Sequence, residues 1–474
     1  MKRRNFLGAG ALALGSMTLG GDLLSPLARA AESITRLRAG SFRRQFQGIG
    51  GPTTLWGFND SVPGPLLRFR KGDRVSIGVD NALRERTTVH WHGLRVPNAM
   101  DGVPFVTQPP IEPGASFLYQ FELKDSGTYW YHPHQKSFEQ VGRGLFGPLI
   151  VEEEKPIEVN QDVTWVMSDF KLDAATGEHA VFGSVTEHAG QGRLGNIITI
   201  NGEVAGPGLA LAVRSGERVR LRLINAATAR VFRLGFTGHA PMIIAFDGQG
   251  VTPHKPQDDS VLLGPGMRID LVIDCAGAPE SRFAVTDSTS RATLATINYS
   301  AAAPLQTTVW NAPMNLPRND LPRLNLKKPE VHSIDFRGGD AGPPVIGRVD
   351  GKDIGYSEML TKYGLAWTVN SYAAHEESRA HEPILFLKRG ETHVLSIANS
   401  TGFVHPIHLH GHFFRVLSYN GIKPKFEEWR DTVFMNPWDE LQIAFVAEER
   451  GDWMFHCHIL EHAAAGMMGV FRIE

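Results

Sequence analysis

Cysteine is nearly missing: the 474-residue chain has two, Cys275 and Cys457, so no disulfide framework holds it together. Positive charge is not in surplus either. With a net charge of −2 and no long basic run, a nucleic-acid partner built on phosphate contacts is excluded. No apolar run is long enough to span a bilayer, so no stable membrane anchoring is expected. Long helical periodicity is absent as well. The 50 Gly and 29 Pro instead divide the chain into short pieces, which favours many short strands. Methionine-rich tracts are lacking: residues 354–382 hold only Met359.

What is present begins with a targeting pattern. Lys2-Arg3-Arg4 precedes Asn5-Phe6-Leu7 and a run from Ala9 to Leu19 rich in Ala, Leu and Gly. Ala28-Arg29-Ala30 is a small-x-small cleavage signal, so residues 1–30 read as a signal peptide. The paired arginines before Phe-Leu look like a twin-arginine signal, which exports proteins already folded, with an ordinary Sec signal as the alternative. Either route predicts a periplasmic or secreted protein.

The remaining length exceeds what one hydrophobic core organises. Three segments share one pattern: Lys71-Gly72-Asp73-Arg74-Val75, Ser215-Gly216-Glu217-Arg218-Val219 and Arg389-Gly390-Glu391-Thr392-His393. Each is a turn leading into a half-buried strand that ends at an asparagine nine residues after the glycine: Asn81, Asn225 and Asn399. Eighteen residues after the glycine, the first and third units carry His90-Trp91-His92 and His408-Leu409-His410, whereas the second has Leu234-Gly235-Phe236. A second repeat links the first and third units. Gly127 to His134 matches Gly451 to His458 at a constant offset of 324. Three homologous β-sandwich domains are predicted, at 31–155, 156–305 and 306–474, with the Pro-rich stretch 303–344 as linker into the third.

Ten of the 19 histidines fall in four clusters: His90/His92, His132/His134, His405/His408/His410 and His456/His458/His462. One His-x-His pair is weak evidence, because alternate strand residues share a face and two histidines there are often merely solvated. Four clusters at matching positions of two repeats call for a metal. On an extended strand Cys457 points away from His456 and His458, so one strand serves two sites. Cys457 with His405, His462 and Met467 is the ligand set of a blue copper site. The eight other imidazoles suffice for three further ions with open positions for O2. A closed tetrahedral zinc site does not suit this set. Cys275 has no such company and reads as a small buried hydrophobe.

The segments His90-Trp91-His92-Gly93, Tyr131-His132-Pro133-His134, His405 to His412 and His456 to Met467 resemble the four copper motifs of the multicopper oxidases. The resemblance spans the chain after residue 30. It implies three cupredoxin-like Greek-key sandwich or barrel domains, all-β, with copper ligands in the first and third. It also implies four copper ions. Type 1 copper falls to His405, Cys457, His462 and Met467, and type 2 copper to His90 and His408. The type 3 pair falls to His92, His132, His134, His410, His456 and His458. Asp101 stands where the family places an acid near the three-copper cluster; its other reading is a turn aspartate before glycine. One departure matters, since bacterial relatives often carry an acid directly after the last histidine ligand and this chain has Ala463.

The activity so implied is laccase-like: O2 reduced to water by electrons taken singly from phenols or similar small reductants. Outer-sphere transfer requires only a donor near an exposed edge of His462. The alternative is a cuprous or metal oxidase, against which the missing Met-rich insert weighs. A non-catalytic envelope scaffold of the same fold is the reading of another class, and the complete ligand set argues against it. His412 is expected to hydrogen-bond beside the ligands. His179, His188, His239, His254, His332, His375, His381 and His393 are expected in solvent-facing roles.

Overall fold

The computed structural model of the chain describes residues 34–306, 310–343, 345–378 and 381–474; the signal segment expected at 1–30 lies outside the described residues. The repeated turns set the frame. Gly72, Gly216 and Gly390 all take a left-handed backbone, with φ of +87°, +87° and +80°. Each turn launches a strand ending at the repeated asparagine: Arg74–Asn81, Arg218–Asn225 and Thr392–Asn399.

The three asparagines do the same work. Each side-chain oxygen accepts from the amide two residues on: Leu83, Ala227 and Thr401. Each side-chain NH2 donates to two carbonyls, one in the following turn and one across the loop. A buried carboxamide satisfied this fully fixes where the strand stops.

Pairing repeats as well. The three strands run parallel to Thr35–Arg44, Gln161–Phe170 and Glu330–Gly338, and antiparallel to Ser116–Glu122, Arg268–Asp274 and Glu440–Val446. In the facing sheets, His90–His92 pairs with Gly127–His132, Phe232–Phe236 with Arg282–Asp287, and His405–Leu409 with Gly451–Cys457. The same two-sheet, Greek-key arrangement is thus built three times, and among the described residues no sheet mixes strands from two repeats. Each sandwich has its own core, around Trp91 and Tyr119, Leu221 and Phe232, and Phe445 and Phe455. Cys275 lies in the second core, as expected of a small hydrophobe.

Among the described residues the longest helix, Tyr356–Tyr363, has 8 residues, and no helix is long and apolar enough to cross a membrane. Buried arginines join the second repeat to its neighbours. Arg220 pairs with Glu153 and Asp270 at 2.8 and 2.7 Å, and Arg222 donates to Thr128 Oγ1 at 3.0 Å.

Candidate metal centre

Strand register assembles the site. His90 lies opposite His132, and His408 opposite His456, so each cross-strand pair offers two imidazoles on one face. The two halves then meet with near two-fold symmetry. His90 stacks on His410 and His92 on His408, both with ring centroids 3.8 Å apart. His134 and His410 bring their Nε2 atoms to 3.3 and 3.1 Å from His456 Nε2. His458 completes the group, with its ring centroid 4.9 Å from His92 and 5.3 Å from His132.

The outer nitrogens are held by oxygen acceptors. His90 Nδ1 donates to the Asp101 carbonyl at 2.7 Å, and His410 Nδ1 to Asp101 Oδ2 at 2.8 Å. His408 Nδ1 donates to the Asp431 carbonyl, His132 Nδ1 to the Pro133 carbonyl and His456 Nδ1 to the Cys457 carbonyl. With those protons placed, the inward nitrogens are bare lone pairs. His90 Nε2, His132 Nε2, His408 Nε2 and His92 Nδ1 are buried without a hydrogen-bond partner among the described residues. Buried polar atoms left so are rare in folded proteins, and a shared cation is what several converging lone pairs accommodate. Burial holds His92, His132, His410, His456 and His458 well below the usual histidine range, and neighbouring imidazoles add to the shift, so the rings are neutral and ready to ligate.

Cys457 faces the other way along its strand. Its Sγ lies 3.5 Å from His405 Nδ1 and 3.7 Å from His462 Nδ1, and the two nitrogens are 3.2 Å apart. A trigonal ion with nitrogens at about 2.0 Å and sulfur at about 2.3 Å needs edges of about 3.5 to 3.7 Å, so this triangle fits one. Met467 is buried in the same cluster, and its carbonyl accepts from Cys457 N–H at 3.1 Å. Burial raises the Cys457 thiol, so metal binding must displace its proton, while burial lowers His462 to about 3.

Models of multicopper oxidase domains match residues 43–156, 161–308 and 358–474. Among curated proteins, the multicopper oxidase MmcO of Mycobacterium tuberculosis is 28% identical over 98% of this chain and 95% of its own. A laccase of Neurospora crassa is 30% identical over 87% of this chain and 73% of its own. The chain belongs to the multicopper oxidase family. A solved multi-copper oxidase from Pseudomonas thermotolerans superposes with a TM-score of 0.81 at 30% identity, covering 94% of this chain and 100% of that one. This multicopper oxidase is therefore a copper-dependent oxidoreductase that uses O2 as acceptor, and its donor sets fit the copper of three types that the family holds.

Within the multicopper oxidase several supports come from residues without a sequence motif. Asp431 Oδ1 accepts from His92 Nε2 at 3.1 Å and receives Arg268 in a bidentate pair, at 2.7 and 2.5 Å. Burial works against that carboxylate, yet Arg268 keeps it ionised and below the usual range. Burial and the Asp431 charge push neighbouring Asp247 up, to about 6. The second repeat, which has apolar residues where its neighbours carry His-x-His, thus contributes Arg268 and Asp247 to the centre. Gly93 is required here: at φ +88°, a Cβ would stand 2.3 Å from Arg268 Nη2.

His462 is fully buried, contrary to the exposed edge expected, because its Nε2 donates to the Gly190 carbonyl at 2.8 Å. Gly190 caps the short helix Val185–Ala189 of the second repeat. Trp367 Nε1 donates to the His188 carbonyl and Asp340 N–H to the Ala189 carbonyl, tying that cover to the third repeat. Three scattered histidines also depart from a solvent-facing role, His381 among them with both ring nitrogens buried. His393 is fully buried beside His332, and both ring nitrogens of His179 are buried against Phe170 and Phe182. His412 is buried and its ring contacts the His410 carbonyl, beside the ligands as expected.

Proposed function

We propose that His405, Cys457, His462 and Met467 hold type 1 copper and that His90 and His408 hold type 2 copper. The type 3 pair falls to His92, His132 and His458 on one side and His134, His410 and His456 on the other. Domains at 31–155, 156–305 and 306–474 then place the clustered imidazoles between the first and third. One observation carries this reading: the Cys457 triangle and the His456 imidazole belong to adjacent residues, joined by a peptide and by a 2.8 Å hydrogen bond from His456 Nδ1 to the Cys457 carbonyl. Bound copper supplies one-electron transfer at Cys457 and O2 reduction at the imidazole cluster. The chain supplies the rest. Complete burial of the eight imidazoles excludes bulk water, and Asp101 fixes His90 and His410 through one buried residue. O2 reduction to water consumes four protons, and we assign Asp101, in contact with His90 and His410, as an acid that serves that demand.

The reductant we propose is a small, phenol-like donor, as for a laccase, which gives up electrons across the Gly190 cover rather than by touching His462. Oxidation of cuprous ions is the second reading. It is disfavoured because Met359, alone in its segment, is fully buried with its sulfur over Gly347 and offers no surface thioether. Export by the twin-arginine route, to the periplasm or beyond, completes the proposal. The test is an optical spectrum of the copper-loaded chain followed by O2 uptake. An intense visible thiolate-to-copper band that vanishes in Cys457→Ser is expected, with uptake faster on a phenol than on Cu(I). No such band at four coppers per chain overturns the type 1 assignment, and faster uptake on Cu(I) overturns the phenol reading.

A further inference from the structure

A segment of the third repeat outside all four histidine motifs reaches the imidazole cluster. Glu376 is 2% exposed, and its Oε1 lies 3.2 Å from His134 Nδ1. Its other oxygen accepts from the Ser137 amide at 2.9 Å, and the next residue, Glu377, accepts from Gln135 Nε2. Residues 134, 135 and 137, directly behind the Tyr131–His134 motif, are thus clasped from more than two hundred residues away. Ser137 opens the helix Ser137–Gly142, which packs on the helix Leu460–Ala464 that carries Ala463. An acid therefore stands beside this flank of the cluster although position 463 provides none.

The tautomer argument makes the contact specific. His134 Nε2 points at His456 Nε2, 3.3 Å away, and must be a lone pair to ligate. The ring proton then sits on Nδ1, which is buried 3.2 Å from Glu376 Oε1; among the described residues neither atom makes an aligned hydrogen bond, so this carboxylate oxygen is the acceptor within reach of that N–H once the ring settles on a metal. Without an acceptor there, that N–H is left unsatisfied and the wrong tautomer competes. We propose that Glu376 is a positioning residue of the O2-reducing centre, setting the tautomer and orientation of His134 from outside the copper motifs. The inference rests on reading His134 as a ligand.

The test uses the copper-loaded full chain and four proteins: parent, Glu376→Met, Glu376→Gln and His134→Ala. Copper retained against a chelator is counted per chain, and the thiolate band reports the Cys457 site in the same sample. Glu376→Met, of similar length but without an acceptor, is expected to release cluster copper about 10- to 100-fold more readily with the band intact. Glu376→Gln, whose one amide oxygen can still serve His134 while its NH2 loses the bond from the Ser137 amide, is expected to hold copper better than Glu376→Met and less well than the parent. Three results overturn the proposal: Glu376→Met holding copper like the parent, Glu376→Gln failing as badly as Glu376→Met, or band and cluster copper lost together, which would make the carboxylate a prop for the fold. His134→Ala separates the two readings. If it keeps its cluster copper, the ligand assignment falls; if it loses copper while Glu376→Met does not, only the role of Glu376 falls.

Discussion

Asp431 accepts at once from Arg268, His92 and Thr432, all buried, and none of these contacts is local apart from Thr432. Removing it leaves a guanidinium buried without its bidentate partner. Asp431→Ala is therefore expected to destabilise the copper-free protein by about 3–5 kcal/mol, the cost of breaking a buried pair. Chemical denaturation measures this directly, and a loss below about 1 kcal/mol would mean that Asp247 takes over the pairing. Residues of this kind escape a reading of the sequence for a physical reason. His92 and Asp431 are 339 positions apart, and an aspartate before threonine carries no local signal. The clustered histidines themselves were legible because each cluster is contiguous and strand alternation alone sorts Cys457 from His456 and His458. Asp101 lies between: its turn before glycine was readable, but not the contact of its carboxylate with His410.

Among elements, the repeated turn–strand–asparagine unit was readable three times over, since its geometry depends on residues within a few positions of one another. The cover over His462 was not. It is a five-residue helix with its functional contact 272 positions away, and at that length no periodicity announces it. The helix is capped by Ser184, whose side chain accepts from Glu187 N–H at 3.2 Å. Ser184→Ala should weaken this cap by about 1 kcal/mol, raising the open population of the cover roughly fivefold. Steady-state kinetics with a bulky and a small phenol distinguish the outcomes. Faster turnover confined to the bulky donor is expected; equal change for both would show that the cover does not gate access.

Over the whole molecule, burial of so many neutral imidazoles ties stability to pH. The folded pKa of His462 is about 3 against an ordinary 6.5, so between these values the unfolded chain binds a proton that the folded one refuses. The sign is fixed: stability is complete above pH 6.5 and is lost as pH falls towards 3, by about 1.4 kcal/mol per unit for each such ring. The midpoint of thermal unfolding of the copper-free protein should accordingly drop between pH 7 and pH 5, and a flat profile there would contradict neutral burial of the rings. The second repeat, which carries apolar residues where its neighbours carry histidines, contributes at this scale through Arg268, Asp247 and the Gly190 cover. Its lack of a His-x-His pair was evident from Leu234-Gly235-Phe236, but its supporting role was not, because ion pairs across repeats leave no pattern along the chain.

His134 and His456 come within 3.3 Å although 322 residues separate them. A polypeptide still being synthesised lacks His456 until its last strands are made, and a fragment that ends before the third repeat holds only half of the eight imidazoles, so neither can bring these two rings together. Oxygen chemistry is thereby withheld until the molecule is whole, and a damaged copy falls silent instead of releasing partly reduced oxygen into its surroundings.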